Sequence, residues 1–172
     1  MRLSVPAALF LTLAATPAAA ESWKAEALAW EAQVLLLHNQ ERARWNVAPL
    51  AWDLGLAASA DAWAAELART DRWGHSPRAR RQGQGENLWM GTRGAFPVSA
   101  MVGGWIGERR WFRPGIFPAV STTGRWSDVG HYTQMVARAT TRVGCALRSN
   151  RRWTYFVCRY SPPGNADGRA IP

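Results

Sequence analysis

The stretch RVGCALRSNRRWTYFVCRY, residues 142–160, decides the fold because it predicts two paired strands. Its strand-like halves extend from Arg142 to Ser149 and from Trp153 to Tyr160. With the turn centred between Arg151 and Arg152, the pattern predicts three cross-strand pairs on one apolar face. These pairs are Leu147 with Phe156, Cys145 with Cys158, and Val143 with Tyr160. We therefore expect an antiparallel hairpin in the core of the sheet.

The N-terminal residues have the composition of a secretory signal peptide. Arg2 is followed by an apolar run from Val5 through Ala15 and by small residues ending at Ala20. The run is shorter than the roughly 20 residues that a membrane-spanning helix needs. We expect residues 1–20 to be removed and residues 21–172 to form a single domain, secreted or periplasmic, with no transmembrane segment. The tail from Pro162 to Pro172, rich in Pro and Gly, predicts a C-terminal surface strap.

Cys145 and Cys158 are the only cysteines of the chain. In an exported protein, two opposed cysteines most simply form a disulfide, whose closure of a short loop contributes roughly 3 kcal/mol in the chain-entropy model. A zinc pair and a reactive thiol are the alternatives. Neither cysteine has a nearby CxxC or HxxxH partner, and the spacing therefore favours the disulfide.

Three stretches have the periodicity of amphipathic helices. The first extends from Trp23 to about Asn46, the second follows Asp53 as its N-cap, and the third has Pro97 in its first turn. The apolar stripe of the third consists of Val98, Met101, Trp105 and Phe112. Glu108 lies on that stripe. An ionised carboxylate there is costly unless it meets a cation, a metal or several donors, so Glu108 needs a partner.

The histidines lie in separate segments of the chain. His38 falls within the first predicted helix beside Asn39, and we expect it to be a hydrogen-bonded structural residue. No two histidines have a local metal-ligand spacing such as HExxH. A site could therefore be assembled only from distant segments.

The other two histidines lie in segments without helical periodicity. His75 and Glu86 share the stretch from Thr70 to Gly94, which predicts a long irregular loop. Long loops in compact domains are uncommon and often functional. His131 is predicted to begin a third strand, from Gly130 to Ala137.

Five segments between His38 and Asn165 occur in the order of one known superfamily. They are HNQERARWNVAPLAWDLGLAASADAWAAELA, GHSPRARRQGQGENLWMGT, WIGERRWF, GHYTQMVARATTRVGCA and FVCRYSPPGN. On these segments the chain resembles the superfamily of cysteine-rich secretory, antigen 5 and pathogenesis-related 1 proteins, in the form of a bacterial stand-alone domain.

The resemblance implies an α+β fold, a three-layer α-β-α sandwich with a central antiparallel sheet and a large cleft. The superfamily's cleft tetrad of two histidines and two glutamates falls here on His75, Glu86, Glu108 and His131. In some members the histidines bind zinc or another divalent cation. The resemblance thus makes His75 and His131 the candidate metal ligands, with the two glutamates as their partners.

Two positions depart from the superfamily pattern. Many members have a cysteine just before the HS motif, where this chain has Trp73, so a disulfide of those members is missing. A tryptophan often follows the GHYTQ segment, where this chain has Ala137. The smaller side chain is expected to open one wall of the cleft.

Two of the functions compatible with the sequence use the tetrad. The first is a secreted binding protein whose cleft takes a divalent metal and a small lipid or other apolar ligand, or a peptide. The second is a metal-assisted, protease-like hydrolase, in which a glutamate serves as general acid or base. Paired carboxylates would also suit glycoside cleavage. Ser76, beside His75, is a candidate nucleophile without an evident triad. The residues favour a binding protein over an enzyme.

The third function uses charge. The formal charge is +9, and Arg78, Arg80 and Arg81 form a basic cluster. A basic exported protein tends to adsorb to acidic membrane or envelope surfaces. The alternatives are that the charge serves solubility and that the arginine cluster is a solvated loop. No motif supports specific binding of nucleic acid.

Overall fold

The computed structural model describes residues 17–81 and 83–172, which form four helices and six strands. The helices are α1 (Pro17–Arg44), α2 (Leu54–Thr70), α3 (Val98–Gly107) and α4 (Gly130–Val136). The strands are β1 (Ala51–Trp52), β2 (Gly85–Thr92), β3 (Gly115–Ile116), β4 (Arg142–Ser149), β5 (Trp153–Ser161) and β6 (Ala170–Ile171). Short 3₁₀ turns occupy Arg78–Arg80, Glu108–Trp111 and Trp126–Asp128.

The predicted signal peptide lies mostly outside the described residues. Only residues 17–20 of it are described, and they belong to the start of α1. Across residues 17–81 and 83–172, no helix has the length and apolar character needed to cross a bilayer.

The main sheet contains β1, β4, β5 and β2 in that spatial order. β5 pairs antiparallel with both β4 and β2, whereas the two-residue β1 pairs parallel with β4. β3 and β6 form a separate antiparallel pair. The predicted α+β sandwich around a central antiparallel sheet is confirmed, with a short parallel strand added at one edge.

The hairpin has the predicted register. Val143 lies opposite Tyr160, Leu147 opposite Phe156, and Cys145 opposite Cys158. The two sulfurs form a disulfide across the pair, and the Cα atoms are 4.1 Å apart. This confirms the disulfide and excludes the zinc pair and the free thiol.

The two faces of β5 pack against different layers. Phe156, Cys158 and Tyr160 belong to the larger core cluster, together with residues of α1, α3 and α4. Tyr155 and Val157 belong to a smaller cluster, to which α2 contributes Ala60, Ala64 and Leu67. The alternation of side chains along one strand thus produces the three layers.

Helix α2 lies unusually close to β4. Asp53 caps the helix as predicted, because its Oδ1 accepts a hydrogen bond from the Leu56 amide at 2.9 Å. A Cβ at Gly144 would lie 2.2 Å from the Ala57 nitrogen and 2.4 Å from the Asp53 carbonyl oxygen. These are backbone atoms, so no side chain could be accommodated without moving the helix.

The prediction of a long irregular loop from Thr70 to Gly94 is wrong, because the segment contains β2. The first four residues of β2 are all buried, and they therefore lack the polar–apolar alternation that identifies a half-buried strand. Glycine and polar residues are also depleted in strands generally. Glu86 thus lies on a strand, and His75 lies in the irregular segment before it.

The predicted strand from Gly130 to Ala137 is also wrong, because the segment forms α4. Every residue from Tyr132 to Val136 is buried, so no exposed face reveals the helical period. The third predicted helix ends earlier than expected. It stops at Gly107, with Pro97 as its N-cap, and Glu108 begins a 3₁₀ turn.

Removing the disulfide tests its contribution to stability. In the chain-entropy model, the double variant Cys145→Ala/Cys158→Ala should lose about 2–4 kcal/mol of unfolding free energy, because its unfolded chain regains the freedom of the open loop. Urea denaturation of the variant and the oxidised wild type measures the difference. The wild type in reductant is the matched control and should fall to a similar value. Equal stability of all three samples would contradict the prediction.

Candidate functional site

A cleft of about 630 Å³ gathers residues from segments far apart in the chain. Its walls come from the segment before β2, the beginning of α4 and the C-terminal strap. The lining includes His75, Glu86, His131, Phe117, Trp126 and Asn165. Glu108 does not line the cleft but contacts His131. The tetrad residues are therefore brought together, as two His–Glu pairs.

The first pair is centred on the Glu86 carboxylate. Nδ1 of His75 donates to its Oε1 at 2.6 Å, and the Ser76 amide donates to the same oxygen at 3.0 Å. The Ser76 hydroxyl donates to Oε2 at 2.8 Å, and Nη2 of Arg159 approaches Oε2 at 3.0 Å. Both oxygens of Glu86 are therefore occupied.

These donors keep Glu86 ionised despite its burial. Burial alone would raise the pKa of the carboxyl group. The hydrogen bond from His75, the charge of Arg159 and the two bonds from Ser76 outweigh this effect, and the pKa lies below its usual value. Glu86 is a carboxylate at neutral pH.

The second pair is held mainly by backbone groups. Nδ1 of His131 donates to Oε1 of Glu108 at 2.6 Å. The amides of His131 and Tyr132 both donate to Oε2 at 3.0 Å. Glu108 thereby satisfies two free N–H groups in the first turn of α4. The Trp105 ring stacks on the His131 ring, with centroids 5.8 Å apart.

The two pairs assign the same tautomer to both histidines. A carboxylate can only accept a hydrogen bond, so a neutral imidazole beside it carries its proton on Nδ1. The Nε2 atoms of His75 and His131 have no hydrogen-bond partner among the described residues. An imidazole anchored in this way by a carboxylate is the usual arrangement of a metal-binding histidine.

The donor set fits a divalent cation held by few protein atoms. Within residues 17–81 and 83–172, no group of three or more His, Cys, Asp or Glu could hold a metal ion. The two Nε2 atoms are the available ligands, and the carboxylates of Glu86 and Glu108 are engaged in orienting the rings. Water or a bound ligand would complete the coordination of such an ion.

A buried polar chain supports the backbone of His131. Asn87 donates from Nδ2 to the His131 carbonyl at 3.0 Å and to the Tyr160 hydroxyl at 3.1 Å. Tyr160 in turn donates to Nε2 of His38 at 2.9 Å, and His38 donates from Nδ1 to the Val34 carbonyl at 2.8 Å. The prediction that His38 is structural is confirmed.

A second buried carboxylate, Glu41 of α1, anchors α4. It accepts a hydrogen bond from the Tyr132 hydroxyl at 3.0 Å and pairs with Arg109 at 2.8 Å. Trp45 donates to the same hydroxyl at 2.8 Å. Burial, together with the nearby carboxylate, raises the pKa of Tyr132 to about 12. The beginning of α4 is therefore fixed from α1 as well as from Glu108.

The sequence did not identify Arg159, Asn87 or Glu41 as parts of the site. Asn87 gave no usable signal, because its segment was predicted to be a loop and so offered no apolar strand face on which a polar residue would stand out. Arg159 and Glu41 gave none either. The partners described above for all three residues lie on other elements.

Three further expectations are settled by contacts. Ser76 is buried, and its hydroxyl donates to Glu86 rather than to a histidine, so it is not poised as a nucleophile. Ala137 does not open the cleft, because it is 1% exposed and lies against Gly164 of the strap. Arg78 and Arg81 line the cleft, whereas Arg80 is exposed outside it.

Comparisons with known proteins agree with this architecture. A family model described as Cysteine-rich secretory protein family matches residues 35–160. The pathogenesis-related protein PR-1 type of Sambucus nigra is 37% identical over 133 residues, which cover 77% of this chain and 75% of that protein. Pathogenesis-related protein 1B of Nicotiana tabacum is 36% identical over 135 residues, with the same 77% and 75% coverage.

Solved structures have the same fold. The crystal structure of NaASP2 with Zn²⁺ has a TM-score of 0.66 and 26% sequence identity, and the match covers 79% of this chain and 80% of that one. The crystal structure of Na-ASP-1 has a TM-score of 0.64 at 26% identity and covers 78% of this chain and 39% of that one.

The buried His38 predicts a loss of stability in acid. Burial and, less strongly, the charge of Arg42 lower its pKa from 6.5 to about 4, although the bond to Val34 opposes them. As the pH falls from 6.5 towards 4, His38 binds a proton in the unfolded chain but not in the folded protein, so the free energy of unfolding decreases. Between about pH 7.5 and about pH 4.5, this residue should account for a loss of about 2–3 kcal/mol.

Denaturant unfolding of the wild type and His38→Gln at the two pH values measures this loss of stability. Glutamine keeps an acceptor for Tyr160 but does not titrate, so the variant should lose less stability on acidification. Equal losses would show that His38 does not carry the effect.

Proposed function

The chain belongs to the cysteine-rich secretory protein family, and we propose that it is a ligand-binding protein that acts outside the cytoplasm. Its cleft would take a divalent cation, zinc being the first candidate, on His75 and His131. A small apolar or peptide ligand would occupy the rest of the cleft. The observation that carries the proposal is the pair of carboxylate-anchored imidazoles, which both line one cleft and whose Nε2 atoms have no hydrogen-bond partner in residues 17–81 and 83–172.

Export is supported by two features. Residues 1–20 have the charge and apolar pattern of a signal peptide. The disulfide between Cys145 and Cys158 belongs to an oxidising compartment such as the periplasm or the extracellular space. A secreted or periplasmic location is the proposal that both features favour.

Metal binding is supported by the carboxylates that hold the two histidine rings. Each ring is fixed by a carboxylate at 2.6 Å, which sets the tautomer that leaves Nε2 free. NaASP2, which has a related fold, has a crystal structure with Zn²⁺. A cation bound here would supply a positive Lewis-acidic centre for a ligand oxygen.

The shape of the cleft supports an organic ligand beside the ion. Phe117 and Trp126 contribute aromatic rings on one side, and Pro118 and Pro163 add further apolar surface. Trp126 is 47% exposed, which is unusual for so large an apolar side chain. Pockets with apolar walls and a few polar groups are typical of small-molecule sites.

Binding is favoured over hydrolysis because the carboxylates are already engaged. The Glu86 side chain has no exposed surface, and its oxygens accept from His75, Ser76 and Arg159. Glu108 accepts three hydrogen bonds. Glu86 has no lone-pair site left for a proton from a water or a substrate, as a general base needs, and Glu108 has one at most. The same argument applies to glycoside cleavage.

Acidic surfaces are a second class of partner, favoured by the arrangement of arginines. Arg80 is exposed and makes no ion pair with any residue that the structure describes, and the net charge of +9 attracts anionic polymers. Such binding would weaken with added salt, because exposed charges are screened beyond about 8 Å at physiological ionic strength.

Zinc titration tests the metal site. By calorimetry near neutral pH, the wild type should bind one ion, and His75→Ala or His131→Ala should abolish binding because each removes one of two ligands. Glu108→Gln should weaken the affinity about 10- to 100-fold by loosening a ring. Asp61→Asn, a carboxylate change on α2 outside the cleft, is the control. No binding by the wild type, or undiminished binding by both histidine variants, would contradict the site.

Aromatic substitutions test the organic ligand independently of the metal. Trp126→Ala should weaken binding of a neutral apolar fluorescent probe about tenfold, since it removes stacking area worth about 1.5 kcal/mol. Trp73→Ala is a matched control, because Trp73 is 49% exposed but does not line the cleft. Equal affinities of the two variants would place the probe elsewhere.

A further inference from the structure

Arg159 and Glu86 form an ion pair inside the protein. The two residues lie directly opposite each other on β5 and β2. Their side chains are 1% and 0% exposed, and Nη2 of Arg159 lies 3.0 Å from Oε2 of Glu86. The pair lies on the face of the sheet that α2 covers, since the neighbouring Val157 and Leu88 pack there.

Fold stability alone does not account for an arginine at this position. Two of its donors, Nε and Nη1, are buried and have no hydrogen-bond partner among the described residues. Removing two charges from water is costly, and an ion pair recovers the cost only when the remaining donors are also hydrogen-bonded. In proteins generally, replacing a buried ion pair by a well-packed apolar pair of similar volume is often neutral or stabilising.

The geometry connects this pair to the cleft. His75 has a side chain that is 54% exposed, and Glu86 is the only hydrogen-bond partner of its ring among the described residues. Its orientation therefore depends on how the Glu86 carboxylate is turned. Arg159 and the Ser76 hydroxyl hold Oε2, and this leaves Oε1 directed at Nδ1 of His75.

We propose that Arg159 is a positioning residue for His75, acting through Glu86 to keep Nε2 of the imidazole available in the cleft. Arg159 does not itself line the cleft, and it reaches the site only through Glu86, which does. The inference rests on the proposed metal function only where it concerns the effect of Arg159 on zinc affinity. The orientation and tautomer of His75 are properties of the protein without metal.

The second pair supplies an internal control. Glu108 is held by the amides of His131 and Tyr132, and among the described residues no arginine pairs with it. A change at Arg159 should therefore affect His75 and leave His131 unaltered. A general loosening of the fold would affect both rings.

The test measures the tautomers of both rings by ¹⁵N NMR in the metal-free protein. In the wild type, both histidines should carry the proton on Nδ1. In Arg159→Met, His75 should lose this single pattern and populate both tautomers, whereas His131 keeps it. In Arg159→Lys the pattern at His75 should be restored, since only one donor contacts Glu86 and a point charge can replace it. Arg148→Met, which removes an exposed arginine of the same hairpin, should resemble the wild type.

Zinc affinity is the second readout. Arg159→Met should bind zinc about 10- to 100-fold more weakly than the wild type, and Arg159→Lys should recover most of the loss. If neither the wild type nor any variant binds zinc, the proposed metal function is wrong. The tautomer measurement on the metal-free protein still tests the role of Arg159.

The positioning role is overturned if His75 in Arg159→Met retains the wild-type tautomer, or if His75 and His131 change together. Circular dichroism establishes that the variants are folded. If Arg159→Met does not fold, Arg159→Gln takes its place, because the amide satisfies Glu86 with a neutral donor. A smaller change of the same sign at His75 is then expected, and an unchanged His75 overturns the proposal.

Discussion

A carboxylate without exposed surface must find all of its hydrogen-bond donors inside the protein. Glu86 is such a carboxylate, and the elements that supply its donors must therefore lie beside it. Its donors come from the segment before β2 and from β5. The central hairpin therefore does more than build the sheet, because β5 carries the arginine that neutralises the buried charge. The wall of the cleft that contains His75 and Glu86 is therefore held together by the hydrogen bonds to the Glu86 carboxylate.

The two halves of the site orient their imidazoles in the same way but hold the orienting carboxylates with different groups. Each half fixes an imidazole through Nδ1 with a carboxylate. The first half uses side chains, with Arg159 and Ser76 around Glu86. The second half uses the amides at the start of α4, and it is backed by the buried chain from His38 through Tyr160 to Asn87. The common result, among the described residues, is a pair of rings that are each fixed through Nδ1 and have no hydrogen-bond partner at Nε2.

The sequence predicted the parts of the fold that depend on local pattern. The hairpin register and the disulfide follow from alternation, and the start of α2 follows from Asp53 as a cap. The tetrad came from resemblance rather than from spacing. The errors lie where burial on every side removes the pattern, as in α4 and in the first half of β2. The ion pair of Arg159 was not predictable, since two strands distant in the chain had to be set side by side first.

The contrast between the two walls has a consequence for how the protein can vary. Backbone amides are present whatever the side chains are, so the hydrogen bonds that hold Oε2 of Glu108 do not depend on which side chains α4 carries, while Asn87 and Glu41 support the helix from other elements. The setting of His75 depends on individual side chains, and a single codon can alter it. Natural or laboratory evolution could therefore retune one imidazole while the other stays constant, which makes the β2–β5 wall the adjustable half of the cleft.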